Sequence, residues 1–136
     1  MIITINGIDY RVKFGVGFVR ELDKKYYTEN HAKTLKFGMG IETQVPLLLT
    51  GDIVSLSEFL YLGTYAEKKR PTPEEVDAYI DTHDDIEGLF DSVMEELKKS
   101  NATRIKVGEL AASLKEEDKA FRKKSAALQK STKKSS

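Results

Sequence analysis

The chain has 136 residues, 40 % hydrophobic and 32 % charged, with 22 Lys/Arg balancing 22 Asp/Glu and with neither cysteine nor tryptophan. This length suits one domain of roughly 100 to 150 residues and excludes a large two-domain enzyme. The lack of cysteine excludes disulfides, thiolate nucleophiles and Cys-based zinc sites, and it suits a reducing compartment.

The first fourteen residues, MIITINGIDYRVKF, lack the basic and apolar regions of a signal peptide, so a cytoplasmic address is expected. Ile3 and Ile5 alternate before Asn6-Gly7, and Ile8, Tyr10, Val12 and Phe14 alternate after it. Two β-branched runs joined by Asn-Gly predict a β-hairpin, because both central residues of a type I′ turn need positive φ. An isolated two-stranded ribbon is marginal in water, so its apolar face is expected to pack on a helix. From Val16 the period changes to three and four through Phe18, Val19, Leu22, Tyr26 and Tyr27, predicting an amphipathic helix that ends near Asn30.

The next stretch, KFGMGIETQVPLLLTGD, places Phe37, Ile41, Val45, Leu48 and Leu49 on one helical face. Pro46 removes a backbone hydrogen bond there, so a helix either begins at Pro46 or kinks at it. The apolar run Val45–Leu49 is far shorter than the roughly 20 residues of a membrane span, and no membrane association is expected. Thr50-Gly51-Asp52 predicts a stop. Ile53, Leu56, Phe59, Leu60 and Leu62 then mark a helix ending at Gly63.

The basic cluster at 68–70 reads as a solvated loop. Thr72-Pro73-Glu74-Glu75 predicts a capped helix start, with Val76, Tyr79 and Ile80 as the buried face. Asp84 and Glu87 have capping-box spacing ahead of a stripe formed by Ile86, Leu89, Phe90, Val93, Met94 and Leu97, and Lys98 and Lys99 suit that helix's C-terminal end.

The globular part is therefore expected over residues 1–100, with 101–136 as a basic tail. Residues 1–100 hold 12 Lys/Arg and 18 Asp/Glu, whereas 101–136 hold 10 and 4, so the body is acidic and the tail basic. RIKVGEL at 104–110 reads as a short strand or linker, and 113–130 as a polar helix whose only apolar residues of size, Leu114, Phe121 and Leu128, lie seven apart on a narrow seam. The tail is expected to be disordered or ordered by a partner. The fold class is α+β and predominantly α-helical: an N-terminal β-hairpin packed on a small helical domain, with a flexible basic C-terminal tail. No internal repeat is present.

Candidate chemical sites are few. Gly15-Val16-Gly17 and Gly38-Met39-Gly40 are incomplete as nucleotide fingerprints and read instead as a tight strand-to-helix turn and as positions of close helix packing. His31 and His83 have acidic neighbours but no i, i+4 ligand partner, and Asp84 is better used as a cap. No metal, cofactor or catalytic residue is expected. The basic tail could bind nucleic acid through phosphate contacts, but its single aromatic, Phe121, makes no stacking platform. The apolar surplus at 37–62 leaves two readings, a protein-binding patch or the core beneath the hairpin.

The order of a short hairpin, a Gly-rich apolar helix, the joint LLTGDIVSL, the helix TPEEVDAYI and the helix GLFDSVMEELKKS resembles the tail assembly chaperones of long-tailed phages infecting Gram-positive bacteria, over about residues 2–100. The resemblance implies a non-enzymatic chaperone that coats the tape measure protein and holds it soluble until the major tail (tube) protein polymerises around it. It also implies a homo-oligomer, assembly with a longer product of ribosomal frameshifting, action in the host cell cytoplasm and absence from the mature virion. Phe37, Ile41, Val45, Leu48 and Leu49 are the candidate partner-binding residues. The alternative is a small phage or bacterial regulatory protein that binds nucleic acid through its basic tail.

Overall fold

In the computed structural model, which describes residues 1–134, strands β1 (Ile2–Ile5) and β2 (Ile8–Arg11) pair antiparallel in the register Ile3↔Tyr10 and Ile5↔Ile8. Asn6 at φ 52° and Gly7 at φ 77° make the turn, as the Asn-Gly pair predicts. Ile3, Ile5, Tyr10 and Val12 are buried, while Ile8 at the tip is exposed. The ribbon is fastened to the helices through Lys13 N–H, which donates to the Gly63 carbonyl at 2.8 Å. A Cβ at Gly63 would strike Val12, so the glycine lets strand and helix approach.

Helix α1 (Val16–Lys25) follows Gly15 and buries Phe18 and Leu22. Phe14, Phe18 and Phe59 form an edge-to-face series with centroids 4.9 and 5.2 Å apart, joining the end of the hairpin to the helical core. The helix stops at Lys25, well short of Asn30. Tyr26 is already extended, and strands β3 (Tyr27–Glu29) and β4 (Lys36–Gly38) pair as a second antiparallel hairpin. Asn30 shapes its loop: the side-chain oxygen accepts from Thr34 N–H at 3.0 Å and Leu35 N–H at 3.1 Å. Phe37 therefore lies on a strand, not at the head of a helix.

Helix α2 (Gly40–Leu49) runs through Pro46 without dividing there. Its end is a Schellman turn in which Gly51, at φ 85°, donates to Leu48 O and Asp52 N–H donates to Leu47 O. Asp52 at once caps α3 (Ile53–Gly63), accepting from Ser55 N–H at 2.9 Å and Ser55 Oγ at 2.7 Å. Those bonds favour the ionised carboxyl and hold its pKa below the usual value.

The capping box at Thr72 and Glu75 opens α4 (Pro73–Asp81), as its sequence predicts. Asp85, not Asp84, caps α5 (Ile86–Lys99), accepting from Gly88 N–H at 3.0 Å. His83 Nδ1 accepts from Asp85 N–H, and this bond turns the backbone one residue past the expected cap. Leu89, Val93, Met94 and Leu97 are buried on α5.

The largest departure from the sequence reading comes after Ser100. Residues 104–110 are neither strand nor linker but the start of α6 (Arg104–Lys134), a single helix of 31 residues. Thr103 Oγ donates to Leu97 O and Ser100 Oγ to Phe14 O, both at 2.6 Å, and Val107 is fully buried in the common core. The body thus extends past Ser100, and α6 packs on α2 and α5. The expected tail is helical as far as Lys134; residues 135 and 136, its last two, lie outside the described residues. The architecture is α+β and mainly helical, with six helices and two small antiparallel hairpins among the described residues.

Candidate protein-binding surface

Helix α2 is packed on three sides, by α1, α3 and α6. Its crossing with α1 is close because Gly40 has no side chain: a Cβ there would lie 2.6 Å from Leu22 Cγ. Gly40 N–H also donates to Asp23 Oδ1 at 2.9 Å. Clasping the other side, Lys106 Nζ of α6 meets Glu42 Oε1 at 2.5 Å. Burial opposes ionisation of Glu42, but the Lys106 bond and backbone bonding outweigh it and lower its pKa; the same bond raises the pKa of Lys106. The second Glu42 oxygen is buried without a partner among the described residues.

This packing separates the five candidate partner-binding residues. Ile41 is 2 % exposed, Val45 0 % and Leu48 2 %, so these three are core side chains. Phe37 is 51 % exposed and Leu49 36 %. A face shared in a helical projection is split because Phe37 belongs to β4 and because α2 is covered on more than one side.

Other exposed apolar side chains lie beside those two. In the second hairpin, Thr28 pairs with Phe37 and the loop hydrogen bond brings Asn30 opposite Leu35, so Leu35 and Phe37 share one face of the ribbon. Both are exposed. Tyr27, on the opposite face, carries the Lys36 ammonium 4.7 Å from its ring centroid. At the end of α2, Leu47 is exposed together with Leu49.

A separate groove of ≈ 420 Å³ runs between α3 and α4. Ile53, Val54, Tyr61 and Ile80 supply its apolar surface, and Glu58, Asp77 and Asp81 bring carboxylates to it. Glu58 is engaged, accepting from Lys25 Nζ at 3.1 Å and from the Tyr26 hydroxyl at 2.6 Å. That hydroxyl bond, followed by burial, pushes the Tyr26 pKa up to about 12. Ser57 Oγ donates to Asp77 and sets the carboxylate between the two helices. Residues 71–97, which span α4 and α5, hold ten Asp/Glu and no Lys or Arg.

The loop at 68–70 is not wholly solvated. Arg70 donates to both Glu21 carboxylate oxygens at 3.2 and 3.1 Å, to Tyr61 O at 3.0 Å and to Thr64 Oγ at 3.3 Å, with its guanidinium 4.5 Å from the Tyr61 ring centroid. One arginine thus ties α1 to the end of α3. In the sequence it looks like its two lysine neighbours; only the fold brings Glu21 to it.

The Gly-rich segments serve packing. A Cβ at Gly15 would lie 2.6 Å from the Tyr65 hydroxyl, and one at Gly17 would enter the same ring. Among the described residues no group of three His, Cys, Asp or Glu side chains is placed to hold a metal, and no helix is long and apolar enough to cross a membrane.

The family model described as "Phage tail assembly chaperone protein, TAC" matches residues 2–111. That segment ends where α6 leaves the body, one residue beyond the partly buried Leu110. No curated protein and no solved structure matches the chain.

Proposed function

Because the chain belongs to the phage tail assembly chaperone family, matched over four-fifths of its length, we propose that its client is the tape measure protein, bound and kept soluble until the tail tube polymerises around it. The family match carries this reading, and the exposed apolar side chains supply a means. Leu35 and Phe37 on the second hairpin, and Leu47 and Leu49 at the end of α2, are exposed and are the proposed client-contacting residues. Burying the exposed part of each contributes about 1 kcal/mol. Contacts of that size are weak singly, but many subunits along one long helical client gain by avidity, and each remains weak enough for the tube protein to displace. The chaperone acts in the host cytoplasm, alone or with a longer frameshift product, and leaves before the virion is complete.

Co-expression with the long helical protein encoded beside it tests the proposal. The expected result is a soluble client that co-purifies with several copies of this chain. An insoluble client with no association would overturn it, and salt-sensitive capture of DNA or RNA in its place would favour the regulatory alternative.

A further inference from the structure

We propose that the outer edge of β4 takes up an extended segment of another protein as a third strand, one whose side chains alternate between apolar and acidic. The backbone of the second hairpin is open there. Met39 N–H donates to Tyr26 O at 2.8 Å and Asn30 N–H to Leu35 O at 3.3 Å. Bonded pairs alternate with unbonded ones in an antiparallel ladder, so the N–H and C=O of Lys36 point outward. Among the described residues nothing bonds to that N–H. The first hairpin is finished differently. Arg11 N–H, which faces outward from β2 by the same alternation, donates to the Glu67 carboxylate at 2.8 Å, and β1 lies against α4. One ribbon thus has its edge closed by a side chain, while the other keeps an edge to which a strand can be added.

The side chains beside that edge set the chemistry of the strand. Leu35 and Phe37 stand exposed on one face of the ribbon, and Lys36 stands on the other. On the Lys36 side, a hollow of ≈ 400 Å³ lies between the hairpin and α1, lined by Arg20, Asp23, Lys24, Tyr27, Lys36 and Gly38. Arg20 and Lys24 lie about one turn apart on α1 and share a face. Among the described residues no carboxylate pairs with Arg20, Lys24 or Lys36. The single acid of the hollow, Asp23, already accepts from Gly40 N–H at 2.9 Å. A strand laid along β4 sends alternate side chains to the two faces, so it buries apolar groups on Leu35 and Phe37 and brings carboxylates to the three bases. Two copies of β4 paired edge to edge would set Lys36 against Lys36 instead, which like charge opposes. A two-stranded ribbon is marginal alone, so the third strand also steadies the hairpin that receives it.

Amide NMR spectra of the full chain, titrated with three blocked octapeptides, read this contact apart from the tape measure protein. One peptide alternates valine and glutamate, one alternates valine and lysine, and one holds all its valines in a block ahead of its glutamates. The alternating glutamate peptide is expected to shift the amides of residues 27–38 and of Arg20 and Lys24, and to slow exchange at the Lys36 amide. The other two are expected to bind about tenfold more weakly or worse, and the first should itself weaken between roughly 50 mM and 500 mM salt. Lys36→Gln should weaken binding and keep the same pattern of shifts. Lys36→Pro should abolish it, because proline removes the outward N–H and leaves the ladder bonds in place. Protection of the Thr28 and Phe37 amides, which the ladder bonds, checks that the ribbon survives in each variant. Absence of shifts at 27–38 with the alternating glutamate peptide at millimolar concentration would overturn the proposal. So would equal binding of the block peptide, which would reduce the contact to charge attraction, or undiminished binding by Lys36→Pro, which would show that no strand is added.

Discussion

At the scale of single residues, Phe37 and Val45 were equivalent in the sequence and are opposites in the structure. Phe37 projects from a strand into solvent, whereas Val45 touches no solvent at all. Phe37→Asp is therefore expected to reduce the soluble yield of a co-expressed tape measure protein several-fold, with a melting temperature close to wild type. Val45→Asp places a carboxylate in the core without a partner and is expected to abolish cooperative unfolding, since such burial costs several kcal/mol. A second residue-scale contrast is Glu42 with Lys106. The Glu42 pKa is lowered on folding, so its contribution is present above the ordinary value of 4.5 and lost as the pH falls through the depressed folded value. The Lys106 pKa is raised, so its contribution is present below 10.5 and lost as the pH rises through the folded value. Amide protection in the first turns of α6, taken relative to the intrinsic exchange rate at each pH, should be highest between those limits, and Glu42→Gln should flatten the acid limb.

At the scale of elements, legibility followed the range of the interactions involved. The Asn6-Gly7 hairpin, the Thr72/Glu75 capping box and the Gly51 stop are each decided within a few residues, so local chemistry reveals them. Gly51→Ala is expected to lower stability by about 1 kcal/mol, read as a shifted urea midpoint at unchanged slope, because the left-handed φ of the Schellman turn disfavours a Cβ. The second hairpin was hidden because Tyr26 and Tyr27 continue the three-and-four spacing from Leu22 although the backbone has left the helix. Its local signals, β-favouring Tyr27-Thr28 and a loop begun by Asn30, were outweighed by that period. The start of α6 was hidden for another reason: Val107 is the sole fully buried residue in its first two turns, and the helix packs on α2, which is distant in sequence, as well as on the preceding α5. Of the candidate surface, Phe37 and Leu49 were legible as apolar, but only the packing of α2 distinguishes them from Ile41, Val45 and Leu48.

At the scale of the whole molecule, the boundary between the body and the exposed arm of α6 falls inside a helix. Trypsin should expose it. Lys98 and Lys99 precede the Ser100–Thr103 turn, which hydrogen bonds fasten to the body, and Lys106 is ion-paired, whereas Lys115, Lys119, Arg122, Lys123 and Lys124 lie on the exposed part of α6. Limited digestion is expected to leave a resistant fragment ending at Lys115, as read by intact mass. Early cleavage at Lys98 or Lys99 would show that the first turns of α6 are not part of the body.

The continuity of α6 has a further consequence, for phase. Because no loop intervenes between Val107 in the core and Phe121 on the arm, the number of residues between them sets both the reach and the compass bearing of the aromatic ring. Inserting one residue near Ser113 would advance the ring by about 1.5 Å and swing it through about 100°, whereas inserting seven would restore its bearing to within about 20° and extend the arm by about 10 Å. The arm is in this sense a ruler graduated in heptads: changes of length in other steps turn its apolar seam away, and homologues that keep the same seam are expected to differ there by multiples of seven.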